Sequence, residues 1–272
     1  MTHLSSRFHA GPIAASQSDI VSLSEATAAK PARHANRPPI WIPLIMLGVL
    51  SCLVRLDDLD LSVQRMFWSP EGGWQLADRA WVQFLYDYGT WPSLIVVGIG
   101  LLAWLASFRM PRLRPIRRFG GFLALAMILG PGLVINVAFK DHFGRPRPKQ
   151  IQEFGGSGAF RPLGEPTFHA GERSFPSGHA SMGFFWFAPG IYFWQRHRRV
   201  ALGFAALALL HGSLMSLGRM AQGAHWFSDS LWAAGMVYLC SWVLYRCVFG
   251  PFFLTTSVRE LNSTAPELMR TG

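Results

Sequence analysis

Three short polar clusters, each at the edge of an apolar run, hold the residue types that could do chemistry in this chain. They are KDHFGRPRP at 140–148, PSGH at 176–179 and GRMAQGAHWFSD at 218–229. Together they supply cations, two histidines and an aspartate. This combination is suited to binding an anion such as a phosphate group and moving protons around it.

The cations of these clusters predict a site for phosphate oxygens. Arg147 and Arg219 offer planar forks that match such oxygens, and Lys140 offers a point charge. Ser177 and Gly178 precede an apolar run, so we expect their backbone N–H groups at a helix N-terminus, which is a natural place for an anion. These five residues form the predicted phosphate cradle.

The histidines predict catalysis beside that cradle. His225 and Asp229 are four residues apart, on one face at the start of a helix. The carboxylate can accept from one ring nitrogen and leave the other free to attack. His179 comes from a different helix, so one neutral histidine can act as nucleophile while the other, protonated, serves the leaving oxygen. Because the cations neutralise the phosphate oxygens, we expect neither a metal nor another cofactor.

The elements that position these residues must lie in a membrane. Half of the 272 residues are hydrophobic and only 15% are charged, against about 25% charged in soluble domains. The apolar residues are clustered, which is typical of an all-α, polytopic membrane protein. The formal charge of +10 would suggest a nucleic-acid partner in a soluble protein. Here the cations lie mostly between apolar runs, so membrane topology and an anionic ligand explain them better.

Six apolar runs predict a six-transmembrane helical bundle, since a spanning helix needs about 20 residues. The runs are 39–55, 90–108, 119–139, 178–194, 200–218 and 229–249. We expect Gly130-Pro131-Gly132 and Pro189 to kink the third and fourth spans. A helix lying flat at the interface, or a lid packed over the bundle, is expected within 56–89.

Loop charges predict the orientation. The segment 109–118 holds five arginines and 195–199 holds three, without an acid in either, so both should be cytoplasmic. The acidic loop 56–89 should face outward. The three polar clusters then share the outer side, which would be the periplasm if the membrane is a bacterial cytoplasmic one. The predicted domains are a disordered cytoplasmic tail (1–38), the six-span domain (39–254) and a cytoplasmic C-terminal tail (255–272).

The ordered clusters resemble the three-part signature of the type 2 phosphatidic acid phosphatase superfamily. Its parts are Lys140 with Arg147-Pro148, then Pro176 to His179, then Arg219 with His225 and Asp229. The resemblance implies metal-independent hydrolysis of a phosphate ester through a phosphohistidine. It makes His225 the nucleophile, Asp229 its orienting partner and His179 the general acid. The family usually has Ser before the arginine of the third part, where this chain has Gly218.

The identity of the substrate and two alternative functions stay open at this point. The segment RPRPKQIQEFGG resembles phosphatases of lipid A, which places that lipid before polyprenyl diphosphate, phosphatidylglycerol phosphate and phosphatidic acid. A transporter would need polar residues along a path through the bilayer, whereas here they concentrate at one face. An inactive lipid-binding protein would keep the cations but need not keep both histidines. His142, Arg145 and Lys149 could extend the phosphate cradle, but we expect them to be solvated loop charges. The oligomeric state is not predicted.

Overall fold

The structure is a computed structural model that describes residues 38–167 and 171–249. The predicted cytoplasmic tails, apart from Pro38, lie outside these described residues. So does the C-terminal end of the predicted six-span domain, from residue 250 to 254.

Helices dominate the described residues. In chain order the α-helices are α1 (Trp41–Leu56), α2 (Leu59–Arg65), α3 (Ala80–Tyr88), α4 (Trp91–Ala106), α5 (Arg114–Met127), α6 (Gly178–Phe184), α7 (Phe187–Phe193), α8 (Arg198–Ala221) and α9 (Phe227–Phe249). A π-helical segment, Ile128–Phe139, continues α5. Short 3₁₀ turns are Pro111–Leu113, Pro148–Gln150 and Gln152–Phe154. Two-residue strands, β1 (Trp68–Ser69) and β2 (Gly73–Trp74), pair as an antiparallel hairpin with Trp68 opposite Trp74.

Within the described residues, four helical stretches are long and apolar enough to cross a membrane: Ala80–Ala106, Pro111–Phe139, Arg198–Ala221 and Phe227–Val248. The apolar helix α1 is shorter, at 16 residues. Large apolar side chains such as Ile45, Ile99, Leu102 and Leu210 are more than half exposed, whereas soluble proteins seldom expose wide apolar patches. The prediction of a mostly helical, integral membrane protein is confirmed.

The fourth apolar run is divided into two seven-residue helices, α6 and α7. Pro189 has no N–H to donate to the carbonyl of Phe185, so a continuous helix cannot pass through this point. In α6, a Cβ added to Gly183 would lie 2.7 Å from the Cα of Gly212 in α8. Small residues thus let the two helices approach closely, which fixes the second polar cluster against the helix that carries Arg219.

A buried apolar cluster lies beneath the ends of the helices that carry the polar clusters. It joins the π-helical segment, α6 and α9 through Ile135, Phe175, Ala180, Phe184, Ala233 and Val237. Because these side chains come from the same helices as the three clusters, their packing holds those helix ends together.

The segment 56–89 packs over this end of the bundle. Trp68 and Trp74 of the hairpin contact Phe154 edge-on, with ring centroids 5.6 and 5.5 Å apart. Phe154 in turn packs against the fully buried Trp226. Gly223 has a positive φ of 58°, and a Cβ there would lie 2.3 Å from the Trp74 ring. The hairpin therefore favours the lid over the helix lying flat at the interface.

Candidate active site

Hydrogen bonds to backbone carbonyl groups tie the three polar clusters to one another. The N–H of Lys149 donates to the carbonyl of Gly223 at 3.0 Å. The Trp226 indole donates to the carbonyl of Pro146 at 2.8 Å. The N–H of Ser177 donates to the carbonyl of Asp229 at 3.2 Å. The structure thus brings together segments that are far apart in sequence, as the topology predicted.

Asp229 is held in place from several sides. It is the third residue of α9, and its Oδ2 accepts the N–H of Trp226 just before the helix at 2.9 Å, as the acidic residue of a capping box does. The same oxygen accepts the hydroxyl of Ser174 at 2.6 Å. Nδ1 of His225 lies 3.5 Å from this Oδ2, which is longer than a well-formed N–H···O bond. Since Nδ1 faces Asp229, Nε2 is the ring nitrogen left to face a ligand.

His225 is buried and anchored at its backbone. The amide of Gln64 in α2 donates to the carbonyl of His225 at 2.8 Å. Burial lowers the pKa of His225 to about 4, even though Asp229 acts to raise it. The imidazole is therefore neutral at pH 7, as a nucleophile must be.

Three cations face this region without acidic partners. Among residues 38–167 and 171–249, no carboxylate lies within ion-pair distance of Lys140, Arg147 or Arg219. Arg219 is 9% exposed. Its Nη1 donates to Gln222, whereas its buried Nε has no partner in the described part of the chain. Arg219 is buried, and a buried cation without an acidic partner is costly unless an anion binds it.

Lys140 is electrostatically coupled to the other cations. Burial lowers its pKa to about 8, and Arg147 and Arg219 contribute to the same shift. A Cβ added to Gly178 would lie 3.1 Å from Nζ of Lys140 and 2.7 Å from Oδ1 of Asn136. The ammonium group therefore lies directly beside the first residue of α6.

Ser177 caps α6: its hydroxyl accepts the N–H of Ala180 at 3.4 Å. Its own N–H is bonded to Asp229, so it is not free for an anion in this structure. The first N–H groups of a helix have no partner within the helix. Among the described residues no acceptor is bonded to those of Gly178 and His179.

Sequence reasoning missed Tyr86, which connects two predicted site residues. Its ring, at the end of α3, stacks on the imidazole of His179 with centroids 5.1 Å apart and planes inclined by 17°. The guanidinium of Arg219 lies 4.8 Å from the centroid of the same ring. A cation this close to an aromatic face is attracted to it, so Tyr86 aligns His179 with Arg219. No local pattern in 56–89 distinguishes it from the other aromatic residues.

The prediction that Arg145 is a solvated loop charge is wrong. Arg145 is 0% exposed. Its Nη1 donates to Oδ1 of Asp229 at 2.7 Å, and its Nη2 donates to Oδ2 of Asp60 at 2.8 Å. The two acids stand 84 and 85 positions away, so no short-range pattern could reveal the pairing.

Comparison with known proteins finds one family that these residues resemble. The PAP2 superfamily profile matches residues 119–252, a range that contains all three polar clusters. This match confirms the resemblance stated from the sequence. No solved structure matches the chain.

Three relatives share a name. A protein of Francisella tularensis subsp. novicida, "Lipid A 4'-phosphatase", is 38% identical over 129 residues, which are 47% of this chain and 57% of that protein. Proteins of the same name from Rhizobium leguminosarum and Rhizobium etli are 33% and 34% identical over 115 and 127 residues. Those matches cover 41% and 46% of this chain, and 48% and 46% of the two relatives. The chain thus spans about half the length of the relatives it matches.

Proposed function

We propose, from the match of residues 119–252 to the PAP2 superfamily, that this chain is an integral-membrane phosphatase that removes a phosphate group from a lipid. One observation carries the proposal. Lys140, Arg147 and Arg219 have no acidic partner among the described residues, and Lys140 and Arg219 act on a buried, neutral His225. Such a site is complementary to the charge of a phosphate group.

In the first chemical step, Nε2 of His225 attacks the phosphorus atom. The P–N bond forms as the P–O bond to the lipid breaks, and the electron pair of that bond goes to the departing oxygen. His179 gives its proton to this oxygen, so the lipid leaves as an alcohol. Positive charge develops on the His225 ring, and Asp229, at 3.5 Å from Nδ1, stabilises it.

In the second step, water attacks the phosphorus of the phosphohistidine. His179, now neutral, accepts the proton of that water. The P–N bond breaks, its electron pair returns to Nε2, and inorganic phosphate leaves. Lys140, Arg147, Arg219, the hydroxyl of Ser177 and the N–H of Gly178 bind the phosphate oxygens in both steps, so no metal enters the reaction.

The charge of the substrate supports the role of His179. In the free site Arg219, Lys140 and Arg147 act on its imidazole, and an anion that binds among them favours the protonated ring. A phosphate dianion offsets these cations when it binds. The complex, rather than the free enzyme, therefore favours the protonated imidazole that the leaving oxygen requires.

The membrane position of the site points to an amphiphilic substrate, whose tail can stay in the bilayer while its phosphate reaches the cations. The relatives are named for the 4'-phosphate of lipid A, so we place lipid A first. Polyprenyl diphosphate, phosphatidylglycerol phosphate and phosphatidic acid are the other substrates to compare.

We propose the following topology for this activity. The four long helical stretches are joined by α1 as the first span and by the α6–α7 pair as the fourth. The six spans put both termini in the cytoplasm and the active site on the periplasmic side of a bacterial cytoplasmic membrane. The cationic segments 109–118 and 195–199 support this orientation.

Phosphate release from a panel of these four purified lipids in detergent micelles tests the function. The wild-type chain is expected to release phosphate from at least one lipid, lipid A first. His225→Ala should lower the rate by at least about 1,000-fold, because no other group in the site replaces the nucleophile. His197→Ala, the same change at an exposed histidine before α8, is the matched control and should keep the wild-type rate.

Two results would count against the proposal in different ways. Full activity of His225→Ala would refute the assignment of the nucleophile and leave the activity standing. Wild-type protein that is folded but releases no phosphate from any of the four lipids would refute the function itself.

A further inference from the structure

Asp60 is a buried acid outside the three polar clusters and outside the family match. It lies in α2 and is 1% exposed. Its Oδ1 accepts the N–H of Ser228 at 2.8 Å, and its Oδ2 accepts the hydroxyl of Ser228 at 2.6 Å. Oδ2 also accepts Nη2 of Arg145 at 2.8 Å. All these groups are buried, so the arrangement is not a surface ion pair.

Arg145 joins Asp60 to the acid behind His225. Its Nη1 donates to Oδ1 of Asp229 at 2.7 Å and to the hydroxyl of Ser228 at 2.8 Å. Its Nε donates to the carbonyl of Arg161 at 3.1 Å. The guanidinium lies 5.3 Å from the ring centroid of Trp226. With contacts in every direction, the guanidinium plane cannot turn without breaking charge-assisted hydrogen bonds.

The charges of this network explain why a second acid is needed. Asp229 paired with Arg145 alone would be a neutral unit, and a neutral unit stabilises a positive imidazole weakly. Asp60 adds a second carboxylate to the single guanidinium, so the network keeps one net negative charge. That charge faces Nδ1 of His225, where positive charge develops when Nε2 attacks phosphorus.

The contacts also set the geometry of Asp229. One of its oxygens is held by Arg145, and the other is held by Ser174 and Trp226. Without Asp60 the guanidinium would lose the partner of its Nη2. Because a buried charge without its partner is strongly destabilised, the guanidinium would shift toward another acceptor. The carboxylate that orients His225 would move with it.

We propose that Asp60 is a positioning residue for phosphoryl transfer, acting on the His225–Asp229 pair through Arg145. The proposal rests on the proposed function. It assigns a part in the chemistry to α2, an element outside residues 119–252. Asp60 touches no reacting atom, so its effect is on the rate of the chemical step and not on substrate binding.

Single-turnover kinetics of Asp60→Asn test this inference. Enzyme in excess is mixed with ³²P-labelled lipid A in detergent micelles, and the reaction is stopped at short times. The rate constant at saturating enzyme reports chemistry on folded sites only, whereas misfolding lowers the amount of competent enzyme and leaves that constant unchanged. We expect it to fall by about 10- to 100-fold, the usual effect of removing a group that orients a site residue from outside. The half-saturating enzyme concentration, corrected for the folded fraction, should stay within about twofold, because the cations that bind phosphate are untouched.

Asp57→Asn is the matched control. It makes the same change three residues earlier, at an exposed position between α1 and α2, and should leave the rate constant unchanged. If Asp60→Asn does not fold in detergent, Ser228→Ala takes its place. That variant keeps every charge of the network but removes the hydroxyl between Asp60 and Arg145, and should lower the rate constant by about 2- to 13-fold.

The proposal is overturned if Asp60→Asn keeps the wild-type rate constant, or if Ser228→Ala, used in its place, keeps it. The proposal is also overturned if Asp57→Asn lowers the rate constant as much as Asp60→Asn does. The effect would then come from removing a negative charge anywhere in this region and not from the contacts of Asp60. A folded wild-type chain that releases no phosphate from any of the four lipids overturns the proposed function, and this inference with it.

Discussion

The pH dependence of kcat/KM offers a direct test of Lys140 as a phosphate ligand. Burial and neighbouring cations lower the pKa of this lysine to about 8. If its charge binds the substrate, activity is fully present below this pH and is lost as the pH rises through it. At about pH 9 roughly one tenth of the lysines keep their proton, so kcat/KM should be about tenfold below its plateau.

The size of the charge interaction decides how complete that loss is. An ammonium group about 4 Å from a phosphate charge, at an effective dielectric constant of about 20, contributes about 4 kcal/mol. That corresponds to a factor of about 1,000 in rate. The neutral lysine form is therefore close to inactive, and the decline should continue with a slope of −1 instead of levelling off.

The variant Lys140→Arg distinguishes the ionisation of this lysine from the ionisation of the substrate as the cause of the decline. A guanidinium keeps its proton beyond about pH 12, so the decline near pH 8 should disappear, whatever the height of the new plateau. The second ionisation of a phosphate ester lies near pH 6, so above about pH 7 the substrate is almost entirely a dianion and does not titrate through the decline near pH 8. On the acid side, His225 must be neutral, and its pKa of about 4 predicts that protonation of this ring lowers activity only as the pH falls through that value.

The assay is the initial rate of phosphate release at substrate concentrations below KM, from about pH 6 to pH 10. Samples held at the highest pH and assayed again at pH 7 exclude irreversible inactivation. A wild-type profile that is flat to pH 10, or a decline near pH 8 that persists in Lys140→Arg, would refute the reasoning.

Two substitutions of glycine test the packing of the site. In Gly178→Ala the new Cβ would lie 2.7 Å from Oδ1 of Asn136 and 3.1 Å from Nζ of Lys140. If the ammonium group moves from about 4 to 6 Å away from the phosphate, its interaction with the phosphate weakens by about 1.4 kcal/mol, so kcat/KM should fall about tenfold. An unchanged kcat/KM would contradict this placement of Lys140. In Gly218→Ser the Cβ would lie 3.4 Å from Cδ1 of Leu85, an ordinary contact. Ser is a better helix former than Gly by about 0.5 kcal/mol, so thermal melting should show a small gain in stability. We expect kcat/KM to stay within about threefold of the wild-type value. A lower melting temperature would show that the site cannot accept a side chain.

The agreement between sequence and structure is best where the signal is local. Apolar runs of about 20 residues predict membrane helices regardless of what surrounds them, and four such stretches are present. The polar clusters at the ends of those runs had to meet if the chain crosses the membrane in sequence. The contacts of Asp229 with Ser177 and of Trp226 with Pro146 join them.

The prediction was poorest for side chains whose role depends on distant partners. The sequence of the loop after the third span does not distinguish the buried Arg145 from the cradle residue Arg147. The sequence did not distinguish Tyr86 from the neighbouring aromatic residues. It identified Asp60 only as one of several acidic residues in an outer loop. Each has its place through contacts with residues of other helices.

The sequence by itself determined the membrane helices and the residue types available for phosphate chemistry, because hydropathy and motif spacing are properties of neighbouring residues. Only the tertiary structure decided which charges are paired and which are free. Arg145 lies between two acids, while Lys140, Arg147 and Arg219 have no acidic partner among the described residues. The reason is that burying a charge costs several kcal/mol unless an opposite charge meets it. Whether that opposite charge is a side chain or a ligand depends on which residues the fold brings into contact.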